Sequence, residues 1–127
     1  MIGLLDANDA HHVAAHGAVA SAIRDGHRLA LAASAFADCL VGPFRRGKAS
    51  VEVVRGLIER LPITIIALDS ETAVAAARIR AQHLGVRLPD ALVIATAASG
   101  AAERLITSDR KWPTARTMKV KLVITLI

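Results

Sequence analysis

Arg87-Leu88-Pro89-Asp90-Ala91-Leu92-Val93-Ile94-Ala95-Thr96-Ala97-Ala98-Ser99-Gly100 combines a helix-starting proline, a long apolar run and a terminal glycine. Pro89 suits the first turn of a helix, where a missing N–H has no intrahelical partner to lose. The run from Ala91 to Ala97 is apolar, so a helix over 90–99 is expected to be buried, with Gly100 just past its end. Arg104 to Thr107 follows as a short strand, and Thr107-Ser108-Asp109-Arg110-Lys111-Trp112 carries the chain out of it. A buried helix followed by a short apolar strand is the grammar of an alternating α/β chain.

The same alternation extends in both directions. Asp9 is a plausible N-cap for a helix through Val13, Ala14, Gly17, Ala18 and Ile23, ending near Gly26. Arg28 to Ala33 reads as a buried strand, Ser34 as the cap of the next helix, and Gly42-Pro43 as its stop. Val51, Val54, Leu57, Ile58 and Leu61 recur at helical spacing, closed by Pro62. Ile63 to Leu68 is β-branched and continuous, as buried parallel strands are. Asp69 or Ser70 then caps an alanine-rich helix reaching about Leu84, and Lys121 to Ile127 is a final strand. The expected fold is α/β, a three-layer sandwich with a mainly parallel sheet, in a single domain over 1–127. Such a fold usually begins with a strand, whereas this chain enters a helix almost at once, so the amino-terminal strand is missing or very short.

Composition narrows the function. Sixteen Lys and Arg against eleven Asp and Glu give a net charge of +5, which favours polyanions without naming one. Phe36, Phe44 and Trp112 are the only aromatic residues, which argues against modules that stack bases on aromatic platforms. Cys39 is the sole cysteine, so there is neither a disulfide framework nor a Cys-based zinc site, and its apolar neighbours suggest a buried, inert thiol. His12 and His16 have metal-pair spacing but no third partner at a recognisable distance, and are expected to be exposed helix residues. No signal peptide and no apolar stretch near the ~20 residues of a membrane span is found. The expected setting is cytoplasmic, with no membrane.

Three aspartates stand out. Asp38 lies in Ser34-Ala35-Phe36-Ala37-Asp38-Cys39-Leu40-Val41-Gly42, Asp90 follows Pro89, and Asp109 follows the strand ending at Thr107. In α/β folds such junctions gather at the carboxyl edge of the sheet, where ligands bind. Converging carboxylates repel unless a cation lies between them, and hard oxygen ligands select Mg²⁺ or Mn²⁺. Each aspartate also has a structural role open to it. Asp90 complements a helix dipole, Asp109 suits an Asx-turn, and Thr107 can satisfy the strand end. Asp38 sits among Ala, Phe, Cys and Leu, where an isolated carboxylate is costly unless paired, solvated or metal-bound.

Asp9-Ala10-His11-His12, Ser34 to Pro43, Leu88-Pro89-Asp90-Ala91-Leu92-Val93-Ile94-Ala95-Thr96-Ala97 and Thr107-Ser108-Asp109 together resemble a PIN domain of the VapC toxin type, over nearly the whole chain. The resemblance implies a Mg²⁺-dependent endoribonuclease (Mn²⁺ possible) from a toxin–antitoxin pair, acting on RNA, neutralised by a VapB-like antitoxin and commonly a homodimer. It implies that Asp38, Asp90 and Asp109 are catalytic and metal-binding. Asp90 and Asp109 match the family's third and fourth acids, and Asp38 falls at the second, where Glu is commoner. The first acid has no clear counterpart. Residues 2–9 look like the segment after the family's first strand, as if the chain began late through truncation or a misassigned start codon. In a rival register Met1 to Leu5 is the strand and Asp6 the first acid. The alternative function is a catalytically inactive scaffold that binds an antitoxin or itself. A phosphoreceiver-like domain would need an acidic pair after the first strand and a Lys after the last, and has neither here. The apolar faces of 34–42 and 51–61 are the expected dimer and antitoxin contacts.

Overall fold

A computed structural model describes residues 12–61, 63–107 and 109–126. They divide into two compact units, the first holding residues up to 31 and 35–65, the second 32–34 and 66–126.

In the first unit, α1 (His12–Arg24) ends where the sequence places its stop. Gly26 adopts φ 79°, a conformation costly for any residue with a Cβ. His27 N donates to Ala22 O at 2.9 Å and Gly26 N to Ile23 O at 3.1 Å, the paired bonds of a Schellman end. Asp9, the expected cap, lies outside the described residues. β1 (Ala30–Ala32) is shorter than the expected 28–33 and runs straight into α2 (Ala33–Arg46), so Ser34 lies inside the helix rather than before it. Gly42-Pro43 does not stop α2, which continues through a buried Pro43 to Arg46. Besides losing its own helical hydrogen bond, proline clashes with the Cβ and N–H of the residue before it, and Gly42 removes the Cβ part of that conflict. The stop falls instead at Gly47 (φ 129°), whose N–H bonds Pro43 O at 3.0 Å.

α3 (Lys48–Arg60) buries Val51, Val54 and Ile58, the expected face, while Leu57 and Leu61 are half-buried. Pro62 lies outside the described residues. β2 (Thr64–Ile66) pairs with β1, and Thr64 N donates to Leu29 O at 3.0 Å. Leu31, Ile58 and Ile63 form the buried core of this unit, with Phe36 packed against them. The expectation of a fully buried strand over 63–68 fails at Thr64 and Ile65, both exposed. β-branching records strand preference, whereas depth is set by what packs on each face.

The second unit opens with Asp69 as the N-cap of α4 (Ser70–Gln82), its Oδ1 accepting from Thr72 N at 2.8 Å. That backbone bond holds the Asp69 carboxyl below its ordinary value. A carboxylate whose folded pKa is depressed stabilises fully above its unfolded pKa and loses that contribution as pH falls through the folded pKa. Asp69→Ala is therefore expected to lower the urea midpoint at neutral pH. The gap from the parent should close as the solution is acidified below the ordinary value of 3.8, and a gap of constant size would refute the assignment.

α5 (Leu88–Thr96) carries Pro89 in its first turn, as expected, and packs Ala91, Ile94 and Ala95 against Ala76 and Ile79 of α4. Gly100 does not end it cleanly. The backbone widens into a π turn over Ala97–Ala101, with Ala102 N bonding Ala97 O at 3.2 Å. Hydroxyls bonding back onto the previous turn accompany this widening. Thr96 Oγ1 donates to Leu92 O and Ser99 Oγ to Thr96 O, each at 2.7 Å. β3 (Arg104–Thr107) has the expected bounds and runs parallel to β4 (Val123–Leu126), with Arg104 opposite Val123 and Thr107 opposite Leu126. The crossover between them contains turns rather than a helix. Thr117 N donates to Thr114 Oγ1, and this turn drives Met118, 3% exposed, into the core beside Val86 and Ile94.

The helices and short parallel strands make an α/β fold. Among the described residues the four strands form two two-stranded sheets, β1-β2 and β3-β4. Met1 to Leu5 as a further strand, with Asp6 as the first acid, falls outside the described residues.

Candidate acidic metal site

Asp90 is the third residue of α5, one position after Pro89, so its carboxylate stands in a first turn where unbonded N–H groups favour negative charge. Arg87, just before the helix, places Nε 3.8 Å from Asp90 Oδ2. The arginine side chain is 82% exposed and the aspartate 24%, so the pair is solvent-screened and weakly held. Sequence reading missed this partner, although the i, i+3 spacing of Arg87 and Asp90 was the available signal.

Asp109 lies two residues beyond β3. Its N–H donates to Thr107 Oγ1 at 3.1 Å and its Oδ1 accepts from Lys111 N at 2.7 Å. The Asx-turn that the sequence allowed is therefore present, and Thr107 satisfies the strand end. Asp109 also lines a pocket of about 280 Å³ with Thr107, Arg110, Trp112 and Thr114. Trp112 Nε1 is buried with no hydrogen-bond partner among the described residues.

Asp38 belongs to the other unit. It sits well inside α2 and is exposed, so of the three ways to relieve its cost the chain shows solvation. The neighbouring Cys39 is buried as expected, and burial pushes its thiol pKa up, with the charge of Asp38 adding to the effect. A thiol held protonated is a poor nucleophile and metal ligand.

Among the described residues, no three His, Cys, Asp or Glu side chains gather closely enough to hold a metal ion. The donors that are present suit Mg²⁺ or Mn²⁺ in kind. They are hard carboxylate oxygens, and Mg²⁺ commonly keeps several waters and takes only one or two protein carboxylates. Asp90 and Asp109 both lie in the second unit.

A family model described as PIN domain matches residues 1–117. The chain belongs to the PIN-domain family. PIN domains are generally nucleases, commonly metal-dependent ribonucleases that bind RNA and typically use Mg²⁺ or Mn²⁺. Searches of curated proteins and of solved structures return no significant match. Among the described residues of this PIN domain, no helix is long and apolar enough to cross a membrane.

Proposed function

We propose that this PIN domain is a Mg²⁺-dependent endoribonuclease of the VapC type, the toxin of a toxin–antitoxin pair acting in the cytoplasm. The observation that carries the reading is the carboxylate of Asp90 in the first turn of a buried helix, in a chain matched by the PIN family over 1–117. Asp90 and Asp109 would hold the ion, and Mn²⁺ can replace Mg²⁺. When bound, the ion supplies charge neutralisation at the phosphate and a lowered pKa for an attacking water. Arg110 and Lys111, both exposed beside Asp109, and Arg45 and Arg46, exposed at the end of α2, would position RNA phosphates.

The exposed apolar residues Val41 and Phe44 of α2 and Val53 of α3 support a role for these helices in homodimer and VapB-like antitoxin contacts. A second reading, the inactive scaffold, is favoured by the lack of a three-ligand cluster among the described residues.

Trp112 makes the test direct, because it is the only tryptophan and lines the pocket that holds Asp109. Titration with Mg²⁺ or Mn²⁺ is expected to shift its fluorescence saturably, and Asp109→Asn to remove the shift while leaving the circular dichroism spectrum unchanged. A single-stranded RNA should be cleaved only with the ion present. No saturable signal together with intact RNA would replace the nuclease reading by the scaffold.

A further inference from the structure

The turn from α1 to β1 and the turn from α3 to β2 meet at the starts of the two strands, where Thr64 N bonds Leu29 O. Between them lies a cleft of about 380 Å³ that belongs wholly to the first unit. Its lining combines apolar residues, Ile23, Leu29 and Leu61, with the basic residues Arg28 and Arg60 and with His27 and Thr64. Arg28, Arg60 and His27 are exposed, no carboxylate lines the cleft, and neither arginine makes an ion pair among the described residues. Two arginines held at one opening without acidic partners repel each other, and an anion between them removes that repulsion. Guanidinium forks match phosphate oxygens in geometry as well as charge.

A bare phosphate would leave the apolar wall unused. The volume falls in the range of small-ligand sites, ~300–1,000 Å³, and the lining of apolar surface with a few convergent polar groups is the usual one for such ligands. A nucleotide has both halves: a phosphate for the arginines and a base whose flat face can pack on Ile23 and Leu29.

We propose that this cleft seats one nucleotide of a single-stranded RNA, with its phosphate on Arg28 and Arg60. The inference rests on the reading that RNA is the substrate, and it adds an anchoring point on the first unit, apart from Asp90 and Asp109 on the second. The shared chemistry is a nucleoside monophosphate, whether free or within a strand, and the strand is the source expected for a basic chain of net charge +5.

The test is binding, measured in metal-free buffer with EDTA so that cleavage plays no part. A labelled single-stranded oligoribonucleotide is titrated with parent, Arg28→Glu, Arg60→Glu and Arg55→Glu proteins, using fluorescence anisotropy at several salt concentrations. Arg55 is exposed on α3 outside the cleft, so its variant changes the net charge equally and serves as the control. Arg28→Glu and Arg60→Glu are each expected to weaken binding roughly tenfold and to flatten the salt dependence by a slope of about 0.7 per lost phosphate contact. Arg55→Glu should change affinity less than about twofold, since an exposed charge away from the contact acts only through a screened field. All three positions are exposed, so unchanged circular dichroism is expected throughout. Equal losses in the three variants, or parent-like binding by Arg60→Glu, would overturn the proposal. Uridine monophosphate binding as tightly as the oligonucleotide would overturn the strand assignment in favour of a free nucleotide. Failure here leaves the metal titration untouched, and failure of that titration leaves this binding measurement standing.

Discussion

Asp90→Asn is expected to abolish RNA cleavage, lowering kcat/KM by about 10³-fold or more, while the protein stays folded. The magnitude follows from the several kcal/mol of transition-state charge stabilisation that a catalytic metal supplies, at about 1.4 kcal/mol per factor of ten. Asparagine has nearly the same shape and still suits a first helical turn, but it lacks the negative charge that a hard cation requires. Loss of the Arg87 ion pair costs little because Arg87 is 82% exposed, and exposed ion pairs contribute at most about 1 kcal/mol. The decisive comparison is cleavage against RNA binding in the same variant. Loss of cleavage with binding retained fits a metal ligand. Cleavage at the parent rate would remove Asp90 from the site and, with it, the main support for the nuclease reading.

Ile94→Ala is expected to be the most destabilising simple truncation in the second unit, by about 2–5 kcal/mol. Ile94 is 0% exposed and packs within the cluster of Ala76, Ile79, Val86, Ala91 and Met118. Ala76, Ile79 and Ala91 are carried on helices that cannot collapse freely inward, so the space left by the lost methyl groups closes only partly, and the residual cavity adds to the transfer cost. At this chain length a loss of that size moves the thermal midpoint on the order of 10 °C. Val74→Ala on α4 is the matched control. Val74 is 71% exposed, so its truncation should stay within about 0.5 kcal/mol. If the two variants had equal urea midpoints, Ile94 would not lie in the core.

Both predictions concern one helix, and its two faces differ in how far they could be read in advance. The apolar run Ala91 to Ala97 announced burial, and Pro89 announced the start, because a proline is nearly free of cost only in a first turn. The partner of Asp90 and the π turn beyond Thr96 were not legible. Whether a hydroxyl bonds back to the preceding turn, or an arginine just before the helix leans onto an aspartate, is decided by rotamers that no residue spacing specifies. The same contrast separates Gly26 from Gly42-Pro43. A glycine followed by a basic, polar stretch ended α1 as read, whereas Pro43 was buried inside α2 and the helix ran on to Gly47.

The α/β class, the start of α4 at Asp69 or Ser70, the bounds of β3 and the PIN resemblance, which the family match over 1–117 bears out, were all legible in the amino-acid order. These features are local: each rests on a residue's own φ, its hydrogen-bonding atoms or a run of side chains a few positions long. Tertiary structure alone decided that Thr64 and Ile65 are exposed, that Asp38 is solvated, and that Met118 enters the core from a crossover without a helix. It alone brought Arg28 and Arg60 to one opening. These outcomes join positions far apart in the chain, and their energies depend on which surfaces meet, a quantity that exists only once the chain has folded.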